Sequence, residues 1–289
     1  MKTLNLLLLL LTSIYATAQV GVIRESLKFK SAILGKEVEY SLYLPPDYDQ
    51  SNRRYPVLHL LHGYTDDETG WTQFGEVKAI ADRALQKGEM TSMIIAMPDG
   101  GVGWYINSAD EKVKYEDFFI KEFIPHIDAT LRTRAEKRYR SIAGLSMGGH
   151  GAMIMALKHP SLFSVCAPLS AGIITREAII TMPEENWNNV FAIPYGKNNG
   201  EERLTDHLQN NWVLGLVEAA DADEIKKVKY YIDCGDKDFL IKGNMTLHSM
   251  LIDKKVSHEF RVREGIHNWE YWRDSLPEVF KFVSASFHQ

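Results

Sequence analysis

Residues 140–158 restrict the fold more tightly than any other stretch of this chain. Arg140-Ser-Ile-Ala-Gly-Leu145 is short, apolar and bounded by charge, which predicts a buried strand; residues 149–158 then carry the helix formers Ala152, Met153, Met155, Ala156 and Leu157. The two meet at Gly144-Leu145-Ser146-Met147-Gly148. A serine on so sharp a strand-to-helix turn is pushed toward strained backbone angles, and a glycine two positions to either side lets neighbouring backbone approach without a Cβ clash. The Ser146 hydroxyl is then expected to stand clear of the sheet. It would sit at the start of a helix whose unpaired N–H groups face any negative charge developing there.

The rest of the chain repeats the strand-then-helix rhythm. Residues 22–30 and 37–44 alternate polar and apolar side chains about Leu34-Gly35 and predict an antiparallel hairpin at a sheet edge. Apolar runs at 55–61, 92–97, 163–169, 228–232 and 258–262 read as further strands. Helical patterns occupy roughly 74–87, 118–134, 241–254 and 269–287. Such alternation implies an α/β fold, with a mostly parallel sheet covered by helices on both faces. Residues 172–226 break the rhythm with Trp187, Trp212, Pro183, Pro194 and many asparagines. They are expected to be an insertion after the sixth strand, packed over one end of the sheet, either as a pocket wall or as scaffold.

The N-terminus reads as a leader. Lys2, the apolar run Leu6 to Leu11 and the small residues Ala16 and Ala18 describe a secretory signal peptide over residues 1–18, cleaved before Gln19. The expected product is one domain over 19–289, periplasmic or extracellular, without stable membrane insertion. A net charge of −5 with no basic tract argues against nucleic acid as a partner. The 2 cysteines, Cys166 and Cys234, are too few for a disulfide scaffold; two buried free thiols are expected, with a single bridge as the alternative. No H-E-x-x-H or C-x-x-C pattern calls for a metal, and no cofactor is expected.

A serine hydroxyl becomes a useful nucleophile when an imidazole takes its proton and a carboxylate holds that imidazole in place. In open α/β sheets such groups gather beyond the carboxyl ends of the strands. His267 follows the strand at 258–262 and precedes the last helix, so it sits in the required loop; His207, in the insertion, is the only other serious candidate. Asp233, Asp236 and Asp238 compete for the acid. Asp233 still belongs to a strand, which leaves Asp236 and Asp238. The order Ser, Asp, His is that of α/β-hydrolases. For an oxyanion, the backbone N–H of Met147 is one expected donor and that of Tyr64, after His62-Gly63, the other.

Leu60-Leu-His-Gly63, Met97-Pro-Asp-Gly-Gly101 with Trp104-Tyr105, Ile142-Ala-Gly-Leu-Ser-Met-Gly-Gly149, Cys234-Gly-Asp-Lys-Asp238 and Gly265-Ile-His-Asn-Trp269 with Trp272 carry a resemblance. Together they resemble the esterase D, or "putative esterase", family of α/β-hydrolases, which includes feruloyl and acetyl xylan esterases, S-formylglutathione hydrolases and mycolyltransferases. Nearly the whole chain after the leader takes part. Position by position, the resemblance implies Ser146 as nucleophile, Asp238 as acid and His267 as base. It implies a serine carboxylesterase acting on a small-molecule or oligosaccharide ester. An exported member of this size resembles esterases that remove feruloyl or acetyl groups from plant cell-wall xylan; a general short-chain esterase or a thioesterase of the formylglutathione kind is the alternative. An acyltransferase and a non-catalytic carbohydrate-binding protein stand further off. Trp104 and Tyr105, with Trp269, are the expected substrate contacts, and Trp71 and Trp272 are nearby aromatics.

Overall fold

The structure is a computed structural model that describes residues 20–288. The leader expected at 1–18 lies outside the described residues. Eight strands form one sheet: β1 (Val22–Lys30), β2 (Glu37–Leu44), β3 (Val57–Leu61), β4 (Ile94–Pro98), β5 (Arg140–Leu145), β6 (Val165–Leu169), β7 (Lys229–Gly235) and β8 (His258–Arg263). Their order across the sheet is β1-β2-β4-β3-β5-β6-β7-β8. The first two strands pair antiparallel at the edge, as the alternating pattern requires, and every pairing from β4 to β8 is parallel.

The central strands are apolar throughout because both sheet faces are covered. Val57, Leu61 and Ile142 point into one core with Phe119, Phe123, Met153 and Leu247. Leu58, Leu60 and Ala143 point into the other, against Val77, Ile80, Leu276 and Phe280. The helices Tyr115–Phe118, Ile124–Thr130, Met147–Lys158 and Ile241–Asp253 therefore cover the first face, and Val77–Gln86 and Trp269–Phe287 the second. Side chains that alternate across a strand produce this two-sided burial. The architecture is that of the α/β-hydrolases.

Two elements depart from expectation. The helix expected over 118–134 starts at Tyr115, passes through a π-helical turn at Phe119–Phe123 and stops at Thr130. Leu131 turns extended so that the backbone at Arg132 and Arg134 can pair with Tyr55, a tertiary demand that local helix propensity does not encode. The helix expected to begin at 149 begins at Met147, directly after Ser146.

Residues 172–226 form short helices, including Arg176–Thr181, Glu184–Val190 and Val213–Ala219, packed over the carboxyl ends of the strands. Arg203 holds this region together. Wholly buried, it donates to the carbonyls of Ile179 (2.8 Å), Met182 (2.7 Å) and Asn198 (3.0 Å), and it lies 4.6 Å over the Trp187 ring. Cys166 and Cys234 are buried free thiols. Among the described residues no helix is long and apolar enough to cross a membrane.

Candidate active site

Ser146 occupies the turn between β5 and the helix Met147–Lys158 with φ 52° and ψ −117°. A positive φ at a non-glycine residue costs on the order of 1–3 kcal/mol and persists only where its surroundings fix it. Here the Ser146 N–H donates to Leu169 O (2.9 Å) on β6, and Ser146 O accepts from Gly172 N (2.8 Å). Gly144 and Gly148 are required by space. A Cβ on Gly144 would lie 2.5 Å from Gly148 O, and one on Gly148 would lie 2.5 Å from the carbonyls of Leu61 and His62. The turn is thus pressed against the end of β3, and the hydroxyl is presented above the sheet.

His267 lies in the loop between β8 and the helix Trp269–Phe287, which is capped by the Asn268 side chain accepting from Tyr271 N at 2.9 Å. Its Nε2 is 2.9 Å from Ser146 Oγ and its Nδ1 is 2.8 Å from Asp238 Oδ2. Asp238 is buried in the loop after β7, and its other oxygen accepts the Leu240 N–H at 2.8 Å. Burial alone would raise the Asp238 carboxyl. The hydrogen bonds from His267 and from the Leu240 N–H outweigh it and hold the group below the usual carboxylate range. An ionised Asp238 fixes the proton of the neutral ring on Nδ1, leaving Nε2 free to take the Ser146 proton.

The two other aspartates have different tasks. Asp233, inside β7, accepts from the Tyr231 and Tyr271 hydroxyls and pairs with Arg263 at 2.5 Å, joining β7, β8 and the last helix. Asp236 is exposed and accepts from Gly265 N at 3.0 Å, bracing the loop that carries His267. His207 bonds to Pro194 O within the insertion and does not line the cavity.

The N–H groups of Tyr64 and Met147 make no hydrogen bond to protein acceptors among the described residues, and Met147 is the first residue of its helix. The loop carrying Tyr64 is held by His62, which the sequence marked as part of the Leu60-Leu-His-Gly63 motif but to which it gave no positioning role. Buried His62 accepts the Gly100 N–H on Nε2 (2.7 Å) and donates from Nδ1 to Gly63 O (2.8 Å).

Tyr105 is a correction: it is a core residue rather than a substrate contact. It is wholly buried, its hydroxyl donates to His62 O at 3.0 Å, and its ring fills the space beside Gly100 and Gly151. Trp104 and Tyr105 both have positive φ, 57° and 63°, so the chain turns sharply at this pair and only Trp104 lines the cavity. Trp71 is also core, its Nε1 donating to Leu61 O at 3.0 Å.

Ser146 and His267 open on a cavity of about 760 Å³. One wall comes from the insertion (Ile174, Met182, Val190 and Phe191) together with Trp104, whose ring is 4.7 Å from that of Phe191. Phe239, Leu240, Trp269 and Trp272 also line the cavity, with the Phe239 and Trp272 rings 4.5 Å and 4.9 Å from that of His267. Two side chains tie the insertion to the loops beneath it. The Tyr64 hydroxyl donates to Asn189 O (2.7 Å) and Trp104 Nε1 to Val190 O (3.1 Å), carbonyls left without partners at the end of the helix Glu184–Val190. The insertion residues went unrecognised in the sequence because they follow no period and carry no ionisable chemistry.

An esterase of Mycobacterium tuberculosis is 38% identical over 141 residues, 47% of this chain and 30% of that protein. A combined endo-1,4-beta-xylanase/feruloyl esterase of Xylanibacter ruminicola is 33% identical over 162 residues, 54% of this chain and 22% of that protein. Both matches span less than a third of the relative's own length. The solved structure of a ferulic acid esterase superposes with a TM-score of 0.81 at 31% identity, covering 93% of this chain and 99% of that one. The model of the family described as "Putative esterase" matches residues 31–283, and the chain belongs to that family.

Proposed function

We propose that this protein is a serine carboxylic ester hydrolase that removes hydroxycinnamoyl groups, such as feruloyl, from plant cell-wall carbohydrate. Ser146 Oγ attacks the ester carbonyl while its proton passes to His267 Nε2, and Asp238 stabilises the imidazolium. The oxyanion lies between the N–H groups of Tyr64 and Met147. His267 then gives the proton to the departing alcohol oxygen, and water releases the acid from Ser146 by the same steps in reverse roles. The observation that carries the acyl class is the insertion wall: Trp104, Phe191, Val190, Met182 and Ile174 line far more apolar surface beside Ser146 than an acetyl group needs. The names borne by the Xylanibacter relative and by the superposed structure agree with this reading.

The reading includes export. Residues 1–18 act as a leader, and residues 19–289 form a single hydrolase domain outside the cytoplasm. Steady-state kinetics with methyl ferulate and p-nitrophenyl acetate test the acyl class. A higher kcat/KM on the ferulate is expected, and turnover of acetate with none of ferulate would remove the hydroxycinnamoyl reading. Mass spectrometry of secreted protein should find Gln19 at the N-terminus.

A further inference from the structure

The chemistry at Ser146 gives the cavity a direction. His267 Nε2 returns its proton to the departing alcohol oxygen, so the alcohol lies on the His267 side and the acyl group turns away from it, toward the insertion. On the His267 side the Trp269 ring stands 5.3 Å from Trp71 and 6.0 Å from Phe74, and Phe74 is 52% exposed. An aromatic surface so placed, open to solvent at one edge, has no role in holding the acyl group.

Asp66 adjoins this surface. A Cβ built on Gly70 would lie 3.2 Å from Asp66 Cβ and 3.6 Å from the Trp269 ring, so the two side chains flank one glycine. A Cβ built on Gly63 would lie 3.1 Å from Asp66 Oδ2 and 3.8 Å from Ser146 Cβ, so the carboxyl and Ser146 both adjoin Gly63 and line the same cavity. Among the described residues Asp66 is the one acidic side chain lining the cavity, and its carboxyl faces the backbone amide of Gly63. Burial raises its carboxyl above the usual range, with the His62 ring and the Gly63 amide opposing the rise. The carboxyl takes no proton and holds no oxyanion in the steps assigned to Ser146, His267, Asp238 and the N–H groups of Tyr64 and Met147.

We propose that Asp66 and the Trp269–Phe74 pair form an alcohol-side subsite for a sugar ring, whose face packs on the aromatic surface while its hydroxyls donate to the Asp66 carboxyl. A carboxylate beside an exposed aromatic face matches a ring that is apolar on its faces and rich in hydroxyl donors at its edge. The inference rests on the assignment of Ser146 and His267 made above.

Two esters with one acyl group decide it: methyl ferulate and a feruloylated arabinoxylo-oligosaccharide. Because hydrogen bonds to a charged group are among the stronger ones, Asp66→Ala should lower kcat/KM on the sugar ester by about tenfold or more, mainly through KM. Its effect on methyl ferulate should stay within about twofold, within the usual scatter of surface changes. Asp66→Asn, which keeps an acceptor oxygen, should fall between, and Phe74→Ala should repeat the selective loss without touching the carboxyl. Equal losses on both esters, or none on the sugar ester, would overturn the subsite. If the wild-type protein cleaves neither ester, the acyl reading fails separately. Titration with unesterified xylo-oligosaccharide, followed by tryptophan fluorescence, then still decides. Saturable binding weakened by Asp66→Ala supports the subsite, while no binding, or binding indifferent to Asp66, overturns it.

Discussion

The floor of the cavity and the wall contributed by residues 172–226 converge on Ser146 but are held by different means. The floor consists of three loop residues placed by the ends of β5, β7 and β8, whose parallel pairing fixes their separation before any side chain is considered. The wall is a set of short helices with no sheet behind them. It is seated on the core through buried side chains such as Trp187, Phe191, Trp212 and Val213, and its edge over the cavity is fixed by polar contacts: the buried Arg203 guanidinium, and the two hydrogen bonds from Tyr64 and Trp104 to the end of Glu184–Val190. On the proposed reading, chemistry sits on the part that cannot easily shift, and acyl selection on the part that can be altered without disturbing it.

The largest expected effect tests the floor as a unit. Asp238→Asn leaves the volume unchanged but holds the wrong His267 tautomer, and kcat should fall on the order of 10³–10⁴-fold on large and small acyl esters alike. A loss confined to one acyl class would mean that floor and wall are not separable.

Arg203→Met should do the opposite. It strands buried carbonyls that the guanidinium now satisfies, at about 1–3 kcal/mol each, so the wall should loosen while the floor stays intact. Turnover of feruloyl esters should drop by at least tenfold and that of acetyl esters by less than about threefold, read as the ratio of their kcat/KM values. Tyr64→Phe is a milder version. It removes the bond to Asn189 O but keeps the Tyr64 N–H, and a net hydrogen bond of roughly 1 kcal/mol predicts a selective loss of a few-fold on bulky acyl groups.

The smallest effect is a pH dependence at the seam. His150, in the helix after Ser146, lies edge-on to Trp104 with its Nε2 3.2 Å from the Tyr195 hydroxyl. Burial pushes its pKa down to about 4, and that of His59, within the sheet, to about 3. Both folded values lie below the ordinary value of 6.5, so the unfolded chain takes the proton first. The stability each contributes is complete above about 6.5 and is lost as pH falls through the folded value. Amide protection in residues 172–226, taken relative to the intrinsic exchange rate at each pH, should fall on acidification before protection in the central strands does. His150→Gln should remove the early component, and simultaneous loss of protection in both regions would contradict the separation.

The same contrast explains what the sequence made legible. The floor could be read because each part has a local signature: a strand running into Gly-x-Ser-x-Gly, an aspartate after a strand, a histidine before the last helix. Spacing alone left Asp236 beside Asp238, and the structure shows why both follow β7: one braces the His267 loop and the other faces the ring. The wall could not be read, since Ile174, Met182, Val190 and Phe191 look like any core residues until the fold brings them together. Tyr105 misled because its neighbour does line the cavity, and two consecutive positive φ angles are invisible in composition. The Arg203 clamp pairs one charged side chain with backbone carbonyls, a contact that leaves no pattern in the residues it joins.

The most direct measurement traps the acyl group. Mixing the protein rapidly with a feruloyl ester, quenching in acid and mapping the peptides should find the feruloyl mass on the peptide containing Ser146, and Ser146→Ala should show neither adduct nor turnover. An adduct on another residue, or hydrolysis retained by Ser146→Ala, would contradict the mechanism at its centre.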